Sequence, residues 1–144
     1  RGVLETVKKL RWSPDIVHCQ GWFTSLVPLY LKKSYNEDPL FANSKVVYSI
    51  YNDEFDQPLR KEFKDKLKIE GITSKDIKKI KDNPDFVNLS KLAIDYSDAV
   101  IKGSEQINSE LESYTDQIKK PKLDFQPEDQ YIDAYSEFYD QILT

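Results

Sequence analysis

Three short stretches of this chain end an apolar run with side chains capable of chemistry: His18-Cys19-Gln20-Gly21-Trp22, Tyr51-Asn52-Asp53 and Gly103-Ser104-Glu105. A fourth group, the carboxylates Asp53, Glu54 and Asp56, has the composition of a general acid and base pair. His18 is the only histidine and Cys19 the only cysteine. A metal site would therefore rest on one imidazole and one thiol. Neighbours on an extended strand point to opposite faces, which is poor geometry for chelation and equally poor for a histidine acting as base to a cysteine nucleophile. The plainer reading makes His18 a hydrogen-bonded, buried residue at a strand end and Cys19 a small core residue. Trp22 is either a packing residue where a helix starts or a flat platform for a sugar ring. The three carboxylates sit in a charged segment, where the plain reading is a solvated loop. The glycines stand at positions 2, 21, 71 and 103, so neither a G-x-G-x-x-G nor a Walker A phosphate loop can be written.

These stretches need elements to hold them. GVLETVKKLR, residues 2–11, places Val3, Leu4, Val7 and Leu10 at helical spacing. DIVHC, residues 15–19, is a short apolar run of the kind found in strands buried on both faces. Residues 22–35 return to helical spacing, with Pro28 tolerated in the first turns. KVVYSIY, residues 45–51, is β-branched and aromatic and predicts a second strand. Residues 53–83 read as a charged helical insertion, with pieces at 58–70 and 74–81, the latter opened by Ser74. A helix over 84–97, a third strand over 99–103 and a helix over 105–119 capped by Ser104 follow. The tail, residues 126–144, spaces Tyr131, Tyr135, Phe138, Tyr139 and Ile142 on one helical face and should dock on the rest. Three strands alternating with helices predict an α/β fold, half of a doubly wound parallel sheet, in a single domain of 144 residues.

Composition narrows the partners. A net charge of −4, with Lys and Arg interspersed among Asp and Glu, argues against nucleic acid and anionic membranes. No apolar run approaches the roughly 18 residues a membrane helix needs, so the expected location is the cytoplasm. The chain contains no methionine and opens inside a helical pattern, so the sequence predicts a piece of a longer protein or a processed product. The DIVHC strand should then border a further strand. Its exposed edge calls for a cover, either a second copy of the chain in a homodimer or residues upstream of Arg1.

The run P-D-I-V-H-C-x-x-W-x-x-x-L-x-P-x-Y-L, then K-V-V-Y-S-I-Y-N, then S-K-L-A-I-D-Y-S-D-A-V-I-K-G-S-E-Q, is collinear over residues 1–111 with the latter half of a known domain. It resembles the N-terminal domain of bacterial ADP-glucose-type glycogen or starch synthases, glycosyltransferases of the GT-B fold. It is more similar still to short single-domain versions from Bacteroidetes-type bacteria with a Tyr-rich tail. The resemblance implies the C-terminal half of a Rossmann-like sheet. It also implies ADP-glucose and α-glucan as ligands of the complete enzyme, the remainder of the N-terminal domain and a second GT-B domain as missing parts, and His18, Gln20, Trp22, Tyr51 and Asn52 as the substrate-binding side. It implies no catalytic residue, no metal and no cofactor in this chain.

Departures from the family pattern are specific. Where the family has H-A-x-D-W-H, this chain keeps His18 and Trp22 but has Gly21 at the Asp position and Phe23 at the sugar-contacting His position. Where the family has T-x-H-N, this chain has Ser49-Ile50-Tyr51-Asn52, keeping the Asn. The D-x-x-x-x-V-S-P motif becomes Asp98 to Ser104 with Glu105 for Pro. Transfer from a nucleotide sugar needs cations for the leaving diphosphate, and the candidates after the strands are Lys32, Lys33 and Lys102. Two functions follow as expectations: a synthase piece inactive on its own, or a degenerate, non-catalytic domain that binds glucan or partners a synthase. A response-regulator-like module fits poorly, because no acidic pocket follows a first strand.

Overall fold

The structure, a computed structural model, describes residues 2–52, 72–73, 75–78 and 85–144. The order of elements is α1 (Gly2–Lys9), β1 (Ile16–Gln20), a 3-10 turn (Trp22–Thr24), α2 (Val27–Lys33), β2 (Lys45–Ile50), α3 (Phe86–Tyr96), β3 (Ala99–Lys102), α4 (Ser109–Gln117), β4 (Lys122–Leu123) and α5 (Tyr131–Leu143). The four strands form one parallel sheet in the order β1-β2-β3-β4.

The period of two along each strand divides the sheet into two apolar faces. Val17, Cys19, Val46, Tyr48, Ile50 and Val100 meet Leu4 of α1, Leu31 of α2, Ala93 and Ile94 of α3 and Leu111 of α4. Ile16, Val47, Ala99, Ile101 and Leu123 point the other way, onto Tyr135, Phe138, Tyr139 and Ile142 of α5. Among the described residues the helical cover of this second face comes from α5 alone. The expected docking of the tail thus takes a definite form: a parallel sheet buries both faces, and here the tail supplies one whole layer.

Several boundaries differ from expectation, each for a local reason. The helix expected over 22–35 is split: Pro28 lacks an N–H and fits only the first turn, so α2 starts at Val27 and residues 22–24 form a separate 3-10 turn. The helix expected over 105–119 starts at Ser109, where the Asn108 side chain accepts the Glu110 N–H at 2.9 Å. Ser104 is not that cap; its hydroxyl accepts the Asn52 N–H at 3.0 Å, and Ile107 packs on the core before the helix begins. Where three strands are expected there are four. β4 is two residues long, too short to carry a period, and it pairs Lys122 with Val100 and Leu123 with Ile101. Of the insertion, the expected helix 58–70 and the Ser74 cap lie outside the described residues. Ile77 is described, and it is buried with Leu29, Leu89 and Leu92 on the outer seam of α2 and α3. β1 is an edge strand, as expected, and pairs with β2 alone among the described residues.

Phe138 is 4% exposed at the centre of the α5 layer, whereas Ile132 of the same helix is 67% exposed. Phe138→Ala should lower stability by about 3–5 kcal/mol, a core truncation that leaves a cavity, and Ile132→Ala by no more than ~0.5 kcal/mol. Urea denaturation followed by circular dichroism measures both; equal effects would mean that α5 does not cover the sheet as described.

Candidate functional site

In an open α/β sheet the ligand crevice lies beyond the carboxyl ends of the strands, where chain turns converge. Here β1 ends at Gln20, β2 at Ile50 with Tyr51 next, and β3 at Lys102 with Gly103 next. Two glycines shape this end. Gly21 has φ 82° and ψ 165°, a conformation essentially confined to glycine, and its N–H donates to the Ser49 carbonyl at 3.3 Å. The turn it makes sends Trp22 towards the main core and leaves Phe23 74% exposed at the rim. Gly103 lies under Tyr51: a Cβ there would come within 2.8 Å of the Tyr51 ring and 3.1 Å of the Ile50 carbonyl. Absence of a side chain at 103 is what lets the Tyr51 ring lie against the backbone.

Tyr51 stands between two cavities. One, of about 430 Å³, is lined by Gln20, Gly21, Phe23, Tyr51, Asn52 and Ser104. The other, of about 470 Å³, shares Gln20 and Tyr51 and adds Gly103, with Phe125, Gln126, Glu128, Tyr131 and Tyr135 forming its far wall. The fold therefore brings Gln20, Tyr51 and Asn52 together, as their place after the strands suggested. It puts Trp22 elsewhere: half-buried against the main core and edge-on to Phe23 at 6.3 Å between ring centres.

His18 lies beneath α5. Its Nδ1 is 2.5 Å from the Tyr139 hydroxyl and its Nε2 2.5 Å from Ser49 Oγ, while the Tyr135 and Tyr139 rings sit 5.9 and 5.8 Å from the imidazole centre. In the neutral ring one nitrogen donates and the other accepts, and the two hydroxyls supply the complementary roles. Burial lowers the pKa of His18 below its ordinary 6.5. Burial, followed by the neighbouring Tyr51, raises Tyr139 above the usual phenol value; the same two causes, with Tyr139 and Tyr131, raise Tyr135. Both phenols are therefore protonated at neutral pH. Cys19 faces the opposite side, in the main core, where burial pushes its thiol up to about 12. A protonated, buried thiol is no nucleophile at neutral pH.

The three candidate cations are engaged in ion pairs. Lys32 Nζ is 2.8 Å from Asp98 Oδ2, an oxygen that also accepts the Val46 N–H at 2.7 Å, at the amino ends of β2 and β3 and so away from the crevice. Lys33 pairs with Asp76 at 3.1 Å and Lys102 with Glu112 at 2.9 Å. Among the described residues, no three His, Cys, Asp or Glu side chains come together as a metal site, and no helix is long and apolar enough to cross a membrane. Asp53, Glu54 and Asp56 lie outside the described residues. Sequence reasoning treated the tail tyrosines as packing alone and missed that Tyr131 and Tyr135, with Phe125, Gln126 and Glu128, also line the crevice. The signal available was the surplus of aromatics on a helix whose partner face was already apolar.

Comparisons with known proteins agree on one family. The family model of the starch synthase catalytic domain matches residues 1–122. Among similar curated proteins, the glycogen synthase of Clostridium perfringens is 48% identical over 52 residues, covering 36% of this chain and 11% of that protein. The glycogen synthase of Chlorobium chlorochromatii is 51% identical over 51 residues, covering 35% and 10%. That of Desulfitobacterium hafniense is 32% identical over 133 residues, covering 84% of this chain and 24% of its own length. The chain thus spans a tenth to a quarter of the length of these relatives. No solved structure matches it.

His18 gives a pH dependence with a defined sign. Folding favours the neutral imidazole, so between the lowered folded value and 6.5 the unfolded chain binds more protons and stability rises with pH. The contribution is complete above about pH 6.5 and is lost as pH falls towards the folded value. With no other histidine present, His18→Gln should flatten the rise in urea midpoint as pH climbs towards the ordinary histidine value of about 6.5. Parallel profiles for the two proteins would show that His18 is not held neutral beneath α5.

Proposed function

The chain belongs to the starch synthase catalytic domain family, and from that membership we propose that it forms the crevice side of a glycogen or starch synthase N-terminal domain. Completed by the rest of that domain and by a second GT-B domain, it serves glucosyl transfer from ADP-glucose to an α-1,4-glucan. On its own it does not turn over. The observation that carries this reading is the family match laid over the crevice: the matched span contains β1, β2 and β3, whose carboxyl ends gather Gln20, Tyr51, Asn52 and Ser104 around one opening. His18 orders this side from behind, through Ser49 of β2 and Tyr139 of α5.

The charge of the described crevice lining supports the second half of the proposal. A departing nucleoside diphosphate needs cations or helix N-termini aimed at its oxygens, in a crevice closed to water. Lys32, Lys33 and Lys102 are held by carboxylates, and the cavity linings on either side of Tyr51 contain no Lys or Arg among the described residues. Diphosphate handling therefore belongs to the partner domain. The resemblance places a sugar-contacting histidine where this chain has Phe23, which leaves the donor sugar without that polar contact.

Two assays test this. The 144-residue chain, given radiolabelled ADP-glucose and maltoheptaose, should transfer no glucose above background. In a chimaera, residues 1–122 replace the matched segment of the Desulfitobacterium hafniense glycogen synthase, and Phe23→His in that chimaera should raise transfer by about tenfold or more, the effect of restoring one polar contact to the reacting sugar. A folded Phe23→His chimaera with no transfer at all would sink the synthase reading.

A further inference from the structure

The larger of the two cavities has a wall that the family match does not supply. Phe125, Gln126, Glu128, Tyr131 and Tyr135 all lie beyond residue 122, the last residue matched. They face Tyr51, whose ring is fixed by its seat on Gly103. The Tyr131 and Tyr135 rings, one helical turn apart, stand edge to face with centres 5.7 Å apart, so the side of the cavity formed by α5 is a continuous aromatic surface.

The polar groups in this cavity select the ligand. They are two amides, Gln20 and Gln126, one carboxylate, Glu128, and phenol hydroxyls, with no cation among the described residues. A phosphate would meet a carboxylate and no counter-charge, which disfavours a nucleotide. A neutral polyol fits: amides and a carboxylate offer donors and acceptors to hydroxyl groups, and aromatic faces cover the apolar C–H faces of a pyranose ring. At about 470 Å³, the cavity lies within the range of small-ligand sites.

We infer that the tail builds a binding subsite for a neutral oligosaccharide, an α-1,4-glucan chain, between Tyr51 and the first turns of α5. The glucan identity rests on the proposed synthase reading; the preference for an uncharged, hydroxyl-rich ligand rests on the cavity alone. The subsite holds the acceptor chain at the crevice through residues of this chain's own C-terminal segment.

Isothermal titration of the 144-residue chain with maltoheptaose tests it. Wild-type chain should bind, Tyr131→Ala should weaken binding by about fivefold or more, and Ile132→Ala, on the same helix but outside the cavity, should leave it unchanged. Tyr131 is a surface residue, and the circular dichroism of each variant verifies folding. Absence of maltoheptaose binding overturns the inference, as does Tyr131→Ala binding as well as wild type, or a preference for ADP-glucose over maltoheptaose. Glucan binding lost in Tyr131→Ala beside an inactive Phe23→His chimaera would uphold the subsite and reject the synthase reading. The reverse pattern would do the opposite.

Discussion

Everything in this molecule depends on the need of a parallel sheet to bury both of its faces. Strand-helix-strand units placed side by side cover one face with their own helices, and here α1, α2, α3 and α4 do so. The second face presents Ile16, Val47, Ala99, Ile101 and Leu123, an apolar surface that would be costly to leave in water. Phe138, with Tyr135, Tyr139 and Ile142 around it, closes that surface. A polar link crosses this seam, from Ser49 through His18 to Tyr139, and burial holds its imidazole neutral.

The crevice inherits its shape from that layer. Because α5 starts beside the carboxyl ends of β1, β2 and β3, its first two turns become a wall of the opening while its later turns pack on the sheet. Tyr135 takes part in both, lining the cavity and packing with its ring tilted against that of His18. The charge distribution is set separately, by ion pairs that do not involve α5. The lysines after β1 and β3 are drawn into ion pairs that tie helices and strands together, and among the described residues the crevice lining is neutral to acidic. A surface of this kind suits a neutral, hydroxyl-rich ligand better than an anionic one.

Much of this was legible in the sequence. The apolar runs at 15–19, 45–51 and 99–103 identify the parallel strands, and the polar residues after them identify the crevice, because topology fixes where strand ends meet. The opposed faces of His18 and Cys19 follow from the period of a strand alone. Other features needed three dimensions. β4 pairs through two residues and leaves no periodic trace. Ser104 and Asn108 are both good capping residues, and the choice between them is made by Asn52, which lies 52 residues from Ser104 and claims its hydroxyl. The double role of the tail was hidden because an aromatic stripe at helical spacing looks the same whether it faces a core, a ligand or both.

The most direct test of this account is hydrogen–deuterium exchange on the 144-residue chain, resolved by residue. The amides of α5 from Tyr135 to Ile142 should be protected to a degree comparable with β2 and β3, since helix and sheet bury one another and open together. Exchange of α5 at the rate of an unstructured peptide, while β2 and β3 stay protected, would show that the sheet is stable without its tail layer. The crevice wall described here would then not exist.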